Sequence, residues 1–241
     1  MLTVLCSGGH SPGVTTAGLA LTLTWPREIL FAECDPAGGS VLSGFLVGHR
    51  QERGLGEWAV QLRRGADATA TLTEQVLRLN DPENRWVLPG LASPSQVASV
   101  QPLWQDIART FTRMAGDVIA DIGRTGGPET PLPLLAGADQ VLVIVQPTLR
   151  DLSALAPRLA EITAARGARP APRVLLTGNG PYGRREVARS LDAEVTGHLP
   201  HDPKAAAILT HGLGSERHLS RSLLLRAARS LGAKLCEQVA V

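Results

Sequence analysis

Short apolar runs alternate along the chain with longer segments in which apolar residues recur at helical spacing. The runs are Leu2–Cys6, Glu28–Glu33, Trp86–Leu88, Asp117–Asp121, Asp139–Val145, Arg173–Thr177 and Glu194–Leu199. They are too short for helices, and most are rich in Val, Ile and Leu, so they read as buried strands. Between them, Ala17–Thr24, Gly54–Leu62, Leu72–Leu79, residues 101–115, Leu149–Arg166, Arg184–Leu191 and a segment opening at His201-Asp202-Pro203 read as helices. Leu103, Trp104, Ile107, Ala108 and Phe111 form an apolar stripe suited to packing on a sheet. Residues 41–85 look mostly helical, with Asn80-Asp81-Pro82 ending the second of their helices. Arg217 to Val241 reads as one terminal helix with Leu219, Leu223, Leu224, Ala227, Leu231 and Leu235 apolar. The pattern suits docking on the sheet, with a membrane-surface helix as the alternative. Strands alternating with helices demand a mostly parallel, twisted sheet covered on both faces, an α/β fold. No repeat or linker interrupts it, so residues 1–241 are expected to form one domain.

The first strand, loop and helix carry the chemistry. Ser7-Gly8-Gly9-His10-Ser11-Pro12-Gly13-Val14-Thr15-Thr16 joins them. Strand, glycine loop and helix in that order make the setting of a P-loop, where inward-pointing N–H groups and a helix N-terminus favour phosphate. Gly8 and Gly13 have the required separation, and Thr15 stands where a hydroxyl ligates Mg²⁺. The position after Gly13 should be lysine and is Val14.

Two further strand ends deliver acids to the same crevice. Glu33 and Asp35 are two residues apart before a glycine pair, which suits binding Mg²⁺ or positioning water; a polar turn with Asp35 as a helix cap is the alternative. Asp121 ends an apolar strand, as the carboxylate behind a Mg²⁺-bound water does, with a helix cap again the alternative. Arg124, in the glycine-bearing loop beyond, is the candidate replacement for the lysine charge. The catalytic candidates are thus Asp35, Asp121 and Arg124, and the metal candidates Thr15, Asp35 and Asp121. His198 and His201 lack a surrounding ligand cluster and read as turn residues.

Charge narrows the picture only a little. The formal net charge is +2, with no basic cluster that indicates nucleic acid. Lys204 and Lys234 are the only lysines, so a displaced loop lysine has few places to be. Cys6, Cys34 and Cys236 have no metal or redox spacing and suit reduced cytoplasmic thiols. No leader and no membrane-spanning run is evident, so a cytoplasmic protein is expected, with peripheral membrane contact left open.

These loops together resemble the ParA/MinD group of P-loop ATPases, the deviant Walker A class, over nearly the whole chain. Within it the chain most resembles actinobacterial MinD-like and CpaE/TadZ-type pilus-assembly proteins. Ser7-Gly8 and Gly13 to Thr16 match the family's nucleotide loop, Glu33 to Gly39 its first switch, and Asp121-Ile122-Gly123 its second. The resemblance implies a P-loop NTPase-like fold binding ATP or ADP with Mg²⁺. It implies nucleotide contacts at Gly8, Gly9, Pro12, Gly13, Val14, Thr15, Thr16, Asn179, Pro200 and Asp202. The family's signature and P-loop lysines fall on Gly9 and Val14. Losing cations that meet transition-state charge costs roughly 10²–10³ in rate, so hydrolysis is expected to be slow or absent. Three readings follow: a slow or inactive nucleotide-binding factor, alone or as a homodimer, that localises a pilus, secretion or division apparatus; an active Mg²⁺-ATPase switch using Arg124; or a nucleotide-free interaction scaffold.

Overall fold

The computed structural model of the chain describes residues 1–10, 12–49, 52–79 and 84–239. Among them are eight strands in one sheet: β1 (Leu2–Ser7), β2 (Ile29–Glu33), β3 (Leu77–Arg78), β4 (Arg85–Leu88), β5 (Asp117–Arg124), β6 (Gln140–Val145), β7 (Arg173–Thr177) and β8 (Val195–Leu199). Their order is β3-β4-β2-β5-β1-β6-β7-β8, and every pairing except β3 with β4 is parallel. The chain builds outward from β1 to one edge, then to the other. The order therefore reverses beside β1, which is where such sheets open a ligand crevice at the carboxyl ends of their strands.

The strand runs are apolar throughout because both faces are covered, yet the period of two survives within them. Leu2, Val4 and Cys6 of β1 enter one core, while Leu5 enters the other. The first core lies under α2 (Leu55–Arg63), α3 (Ala68–Gln75), α4 (Val97–Val100), α5 (Trp104–Arg113), α6 (Leu132–Gly137), α7 (Leu149–Arg166) and α8 (Arg184–Leu191). The second lies under α1 (Val14–Thr24), α9 (Pro203–His211), α10 (Glu216–Ser220) and α11 (Leu223–Val239). Helix α1 is apolar nearly all round because it is buried on both sides, between the sheet and α11.

Several sequence expectations need correction. Residues 41–48 form successive turns rather than helix. The helix expected over Leu72–Leu79 is α3, which ends at Gln75; Leu77 and Arg78 then pair antiparallel with β4 as a sheet edge. The stop at Asn80-Asp81-Pro82 lies outside the described residues. The terminal helix divides at Ser222, whose hydroxyl accepts the Leu225 N–H at 3.1 Å and starts α11. Its buried stripe is Leu224, Leu225, Ala228, Leu231 and Leu235; Leu223 is 55% exposed. This stripe docks on α1 and β8. No helix among the described residues is long and apolar enough to cross a membrane.

Helix α1 is fixed at its far end by β5. Buried Asp117 accepts the Trp25 indole N–H at 2.8 Å and the Arg27 Nε–H at 2.9 Å through the same oxygen. Asp117→Ala strands a buried indole donor and releases only the far end of α1 from β5. Denaturant unfolding should show a loss of about 1–3 kcal/mol; a change under 0.5 kcal/mol, as at ordinary surface sites, would remove this tie from the account.

Candidate functional site

The site grows from the end of β1. The β1–β5 ladder slips between Leu5 and Ser7, so Ser7 stands opposite Arg124. The Ser7 carbonyl accepts both the N–H (2.9 Å) and the hydroxyl (3.1 Å) of Thr125. Gly8 then runs against α7 so closely that a Cβ there would lie 2.7 Å from Leu155 Cδ1. His10 follows at φ +32°, in the left-handed region. Gly13, at φ +90°, turns the chain into α1, and the Ala17 N–H donates to its carbonyl at 2.9 Å. Among the described residues no side chain caps this helix end. Its first-turn N–H groups are left to whatever enters the crevice. The Pro12 carbonyl accepts the Thr177 hydroxyl at 2.9 Å, which ties the loop to the end of β7. Val14 is buried in the core beneath α1.

The carboxylates arrive in adjacent strands, Glu33 opposite Asp121 and Asp121 opposite Leu5. Thr15 donates its hydroxyl to Asp121 Oδ2 at 2.6 Å, and Gly123 donates its N–H to Oδ1 at 2.9 Å. Burial pushes the Asp121 carboxyl up to about 7, with the charges of Glu33 and Asp35 adding to the rise and the two hydrogen bonds opposing it. Asp35 lies directly over Gly123 and accepts the Ala37 N–H at 2.8 Å. Burial raises its carboxyl too, against that bond and the nearby Arg124 charge.

Glu33 departs from the expectation that it acts beside Asp35. Its carboxylate is buried in a backbone cage, accepting the N–H groups of Ser40 (2.7 Å), Val41 (3.0 Å) and Gly90 (3.0 Å). It clamps the loop after Asp35 onto the end of β4. Arg124 also differs from expectation: it is the last residue of β5 rather than a loop residue, and its side chain is exposed.

Two openings flank the loop. A cavity of about 740 Å³ brings together Gly13, Val14, Thr15, Thr16, Asp35 and Arg124, with Asp121 behind Thr15. A smaller one, about 130 Å³, joins Pro12, Gly13 and Thr16 to Pro200 and Asp202. Asp202 is also a cap, accepting the N–H groups of Ala205 and Leu223, each at 3.1 Å. Asn179 is exposed and lines neither opening. Gly8 and Gly9 face a third cavity, about 490 Å³, together with His10, Thr148, Arg150 and Asp151. Sequence reasoning gave no role to Gln146 and Thr177 in the small opening, or to His10 and Arg150 in the third. The signals available were the end of the strong strand β6 for Gln146, and a histidine within a glycine loop for His10. His198 is not a turn residue as expected but lies within β8, where its Nε2 is bonded to the Gly178 carbonyl at 2.7 Å.

The oxygen donors Thr15, Asp35 and Asp121 suit Mg²⁺, which takes one or two carboxylates and leaves its other positions to water and phosphate. Among the described residues no group of three or more His, Cys, Asp or Glu forms an all-protein metal cage, which is the arrangement Mg²⁺ does not need.

No protein-family model matches the chain, and no curated protein matches it in sequence. Solved structures do. A ParA family ATPase from Chlorobium tepidum superposes with a TM-score of 0.80 at 16% identity, over 97% of this chain and 98% of that one. MinD from Pyrococcus horikoshii, complexed with Mg-ADP, gives 0.77 at 15% over 98% and 96%. MinD from Aquifex aeolicus, in its complex with MinC, gives 0.74 at 13% over 98% and 96%. The chain therefore has the P-loop NTPase-like fold seen in the ParA and MinD ATPases.

Proposed function

We propose that this protein binds ATP or ADP with Mg²⁺ at the β1–α1 loop and works as a localisation or assembly factor for a pilus, secretion or division apparatus. The observation that carries this reading is the uncapped N-terminus of α1, opening beside the Thr15–Asp121 pair into a cavity of about 740 Å³. Loop N–H groups and the helix end hold phosphate; Thr15, Asp35 and Asp121 hold Mg²⁺; Pro12, Pro200 and Asp202 border the base. A bound Mg²⁺ supplies charge neutralisation on the phosphates. The Mg-ADP in the P. horikoshii MinD and the MinC partner of the A. aeolicus MinD support a nucleotide ligand and protein partners; on this reading a second copy of this chain is one such partner. With Val14 in place of the loop lysine, turnover is slow or absent.

A second reading, an active ATPase, is favoured by one feature. Arg124 lines the same cavity as Asp35 and has no ion-pair partner among the described residues.

Calorimetry with ATP and ADP, with and without Mg²⁺, tests the first reading. Binding should require Mg²⁺, and Thr15→Ala should weaken it about tenfold, the equivalent of one hydrogen bond to a charged group. Unchanged affinity would place the ligand elsewhere. For the second reading, phosphate release should be measurable and should fall about 10²-fold or more in Arg124→Ala. Turnover that survives this change removes Arg124 from the chemistry.

Asp121 gives a pH signature in metal-free buffer. Its carboxyl titrates near 7 when folded, against 3.8 as the ordinary value. Between these the folded chain holds the extra proton, so this group's contribution declines as pH rises from about 4 through 7. Asp121→Asn, which keeps the shape without the charge, should melt several degrees above the parent at pH 8, and the gap should narrow toward pH 5. A gap independent of pH would mean that Asp121 is not ionised against its burial.

A further inference from the structure

On the side of the loop away from Arg124, His10 reaches α7. Arg150 Nη2 lies 3.4 Å from its Nδ1, and Asp151 Oδ1 lies 3.8 Å from its Nε2. A guanidinium has only donors, so Nδ1 accepts and the ring proton sits on Nε2, facing Asp151. Asp151 is itself engaged at the start of α7, where the Thr148 hydroxyl donates to its Oδ2 at 2.6 Å. Arg150 is exposed and has no carboxylate in ion-pair range among the described residues. Among the described residues its only polar side-chain partner is the imidazole.

Two further facts give this contact a direction. His10 lines both the cavity of about 740 Å³ that holds Thr15 and Arg124 and the one of about 490 Å³ that holds Arg150. The ring thus stands where the two openings meet at the loop. His10 is also held at φ +32°, a region that costs a non-glycine residue on the order of 1 kcal/mol or more. Glycine would sit there without strain. A side chain kept at that position, and positioned by a neighbouring helix, points to a role beyond the turn.

We infer that Arg150, positioned by His10, is a phosphate-binding cation of this site and takes the distal phosphate of a bound nucleoside triphosphate. This rests on the nucleotide reading above. The planar fork of a guanidinium matches phosphate oxygens two at a time, and its flexible stem lets it swing from the imidazole to the ligand. The imidazole keeps it beside the loop until then. The charge missing at Val14 is thereby supplied from α7, by a residue that no loop pattern includes. Because the contact is to the distal phosphate, it discriminates triphosphate from diphosphate.

Titration with fluorescent ATP and ADP analogues in Mg²⁺ buffer tests this on the full chain, with Arg150→Ala, Arg150→Lys and His10→Gly. Arg150→Ala should lose at least tenfold in ATP affinity and clearly less in ADP affinity, so the preference for ATP collapses. Arg150→Lys should recover part of it. His10→Gly relieves the backbone rather than straining it, so the fold is kept, and the ATP preference should still fall. ATP affinities within twofold of the parent in both Arg150→Ala and His10→Gly would overturn the assignment while leaving the nucleotide reading intact. Equal losses for ATP and ADP would overturn it too, marking Arg150 as structural. A parent protein that binds neither nucleotide ends both readings together.

Discussion

One hydrogen bond, from the Thr15 hydroxyl to the Asp121 carboxylate at 2.6 Å, ties the first turn of α1 to the middle of the sheet. Asp121 is buried within β5, three residues before its end, where an isolated charge would be costly. It is tolerated because a hydroxyl, the Gly123 N–H and the positive end of α1 converge on it. The same strand begins with another acid, Asp117, which holds Trp25 and Arg27 beyond the other end of α1. One strand therefore grips both ends of one helix. That leaves the loop between β1 and α1 little freedom, and its open N–H groups are a consequence of where the helix is held.

The parts of this arrangement legible in the sequence were those set by local pattern. The β1, β6 and β7 runs and the helices α7 and α8 lie where their periodicity puts them, since the centre of a parallel sheet demands apolar residues on both faces. The edge was less legible. Leu77 and Arg78 continue a helical pattern, yet they pair with β4 because an edge strand needs only a partner, and two residues carry little periodicity. Around the loop, the grouping of Thr15, Asp35 and Asp121 could be read from position, because they lie at or just beyond the carboxyl-terminal parts of the neighbouring strands β1, β2 and β5. The role of Glu33 could not. Its cage is built from Ser40, Val41 and Gly90, and the last of these comes from the loop after β4, far along the chain. For the same reason His10 and Arg150 were invisible as a pair: 140 residues separate them, and only the packing of α7 behind Gly8 joins them.

The balance of charge at the crevice bears on the kind of work such a site can do. The cavity beside Thr15 presents Asp35 directly and has Asp121 behind it, with Arg124 the one arginine at its wall. Burial raises both carboxyls, and the charges of Glu33 and Asp35 raise Asp121 further, so the acids are held at a cost before any phosphate arrives. A phosphate entering alone would add to that repulsion, whereas a divalent cation relieves it. On the proposed reading Mg²⁺ is therefore required for entry as well as for charge balance, more so than in a loop with its own lysine. Binding can be shared among N–H groups, a helix end, Mg²⁺ and arginines standing outside the loop. Phosphoryl transfer is less forgiving, because it needs a cation already in place where charge develops. A site with many partial donors and no fixed central cation can distinguish occupied from empty far better than it can turn over. On the proposed reading, in which the chain positions an assembly, occupancy alone carries the signal.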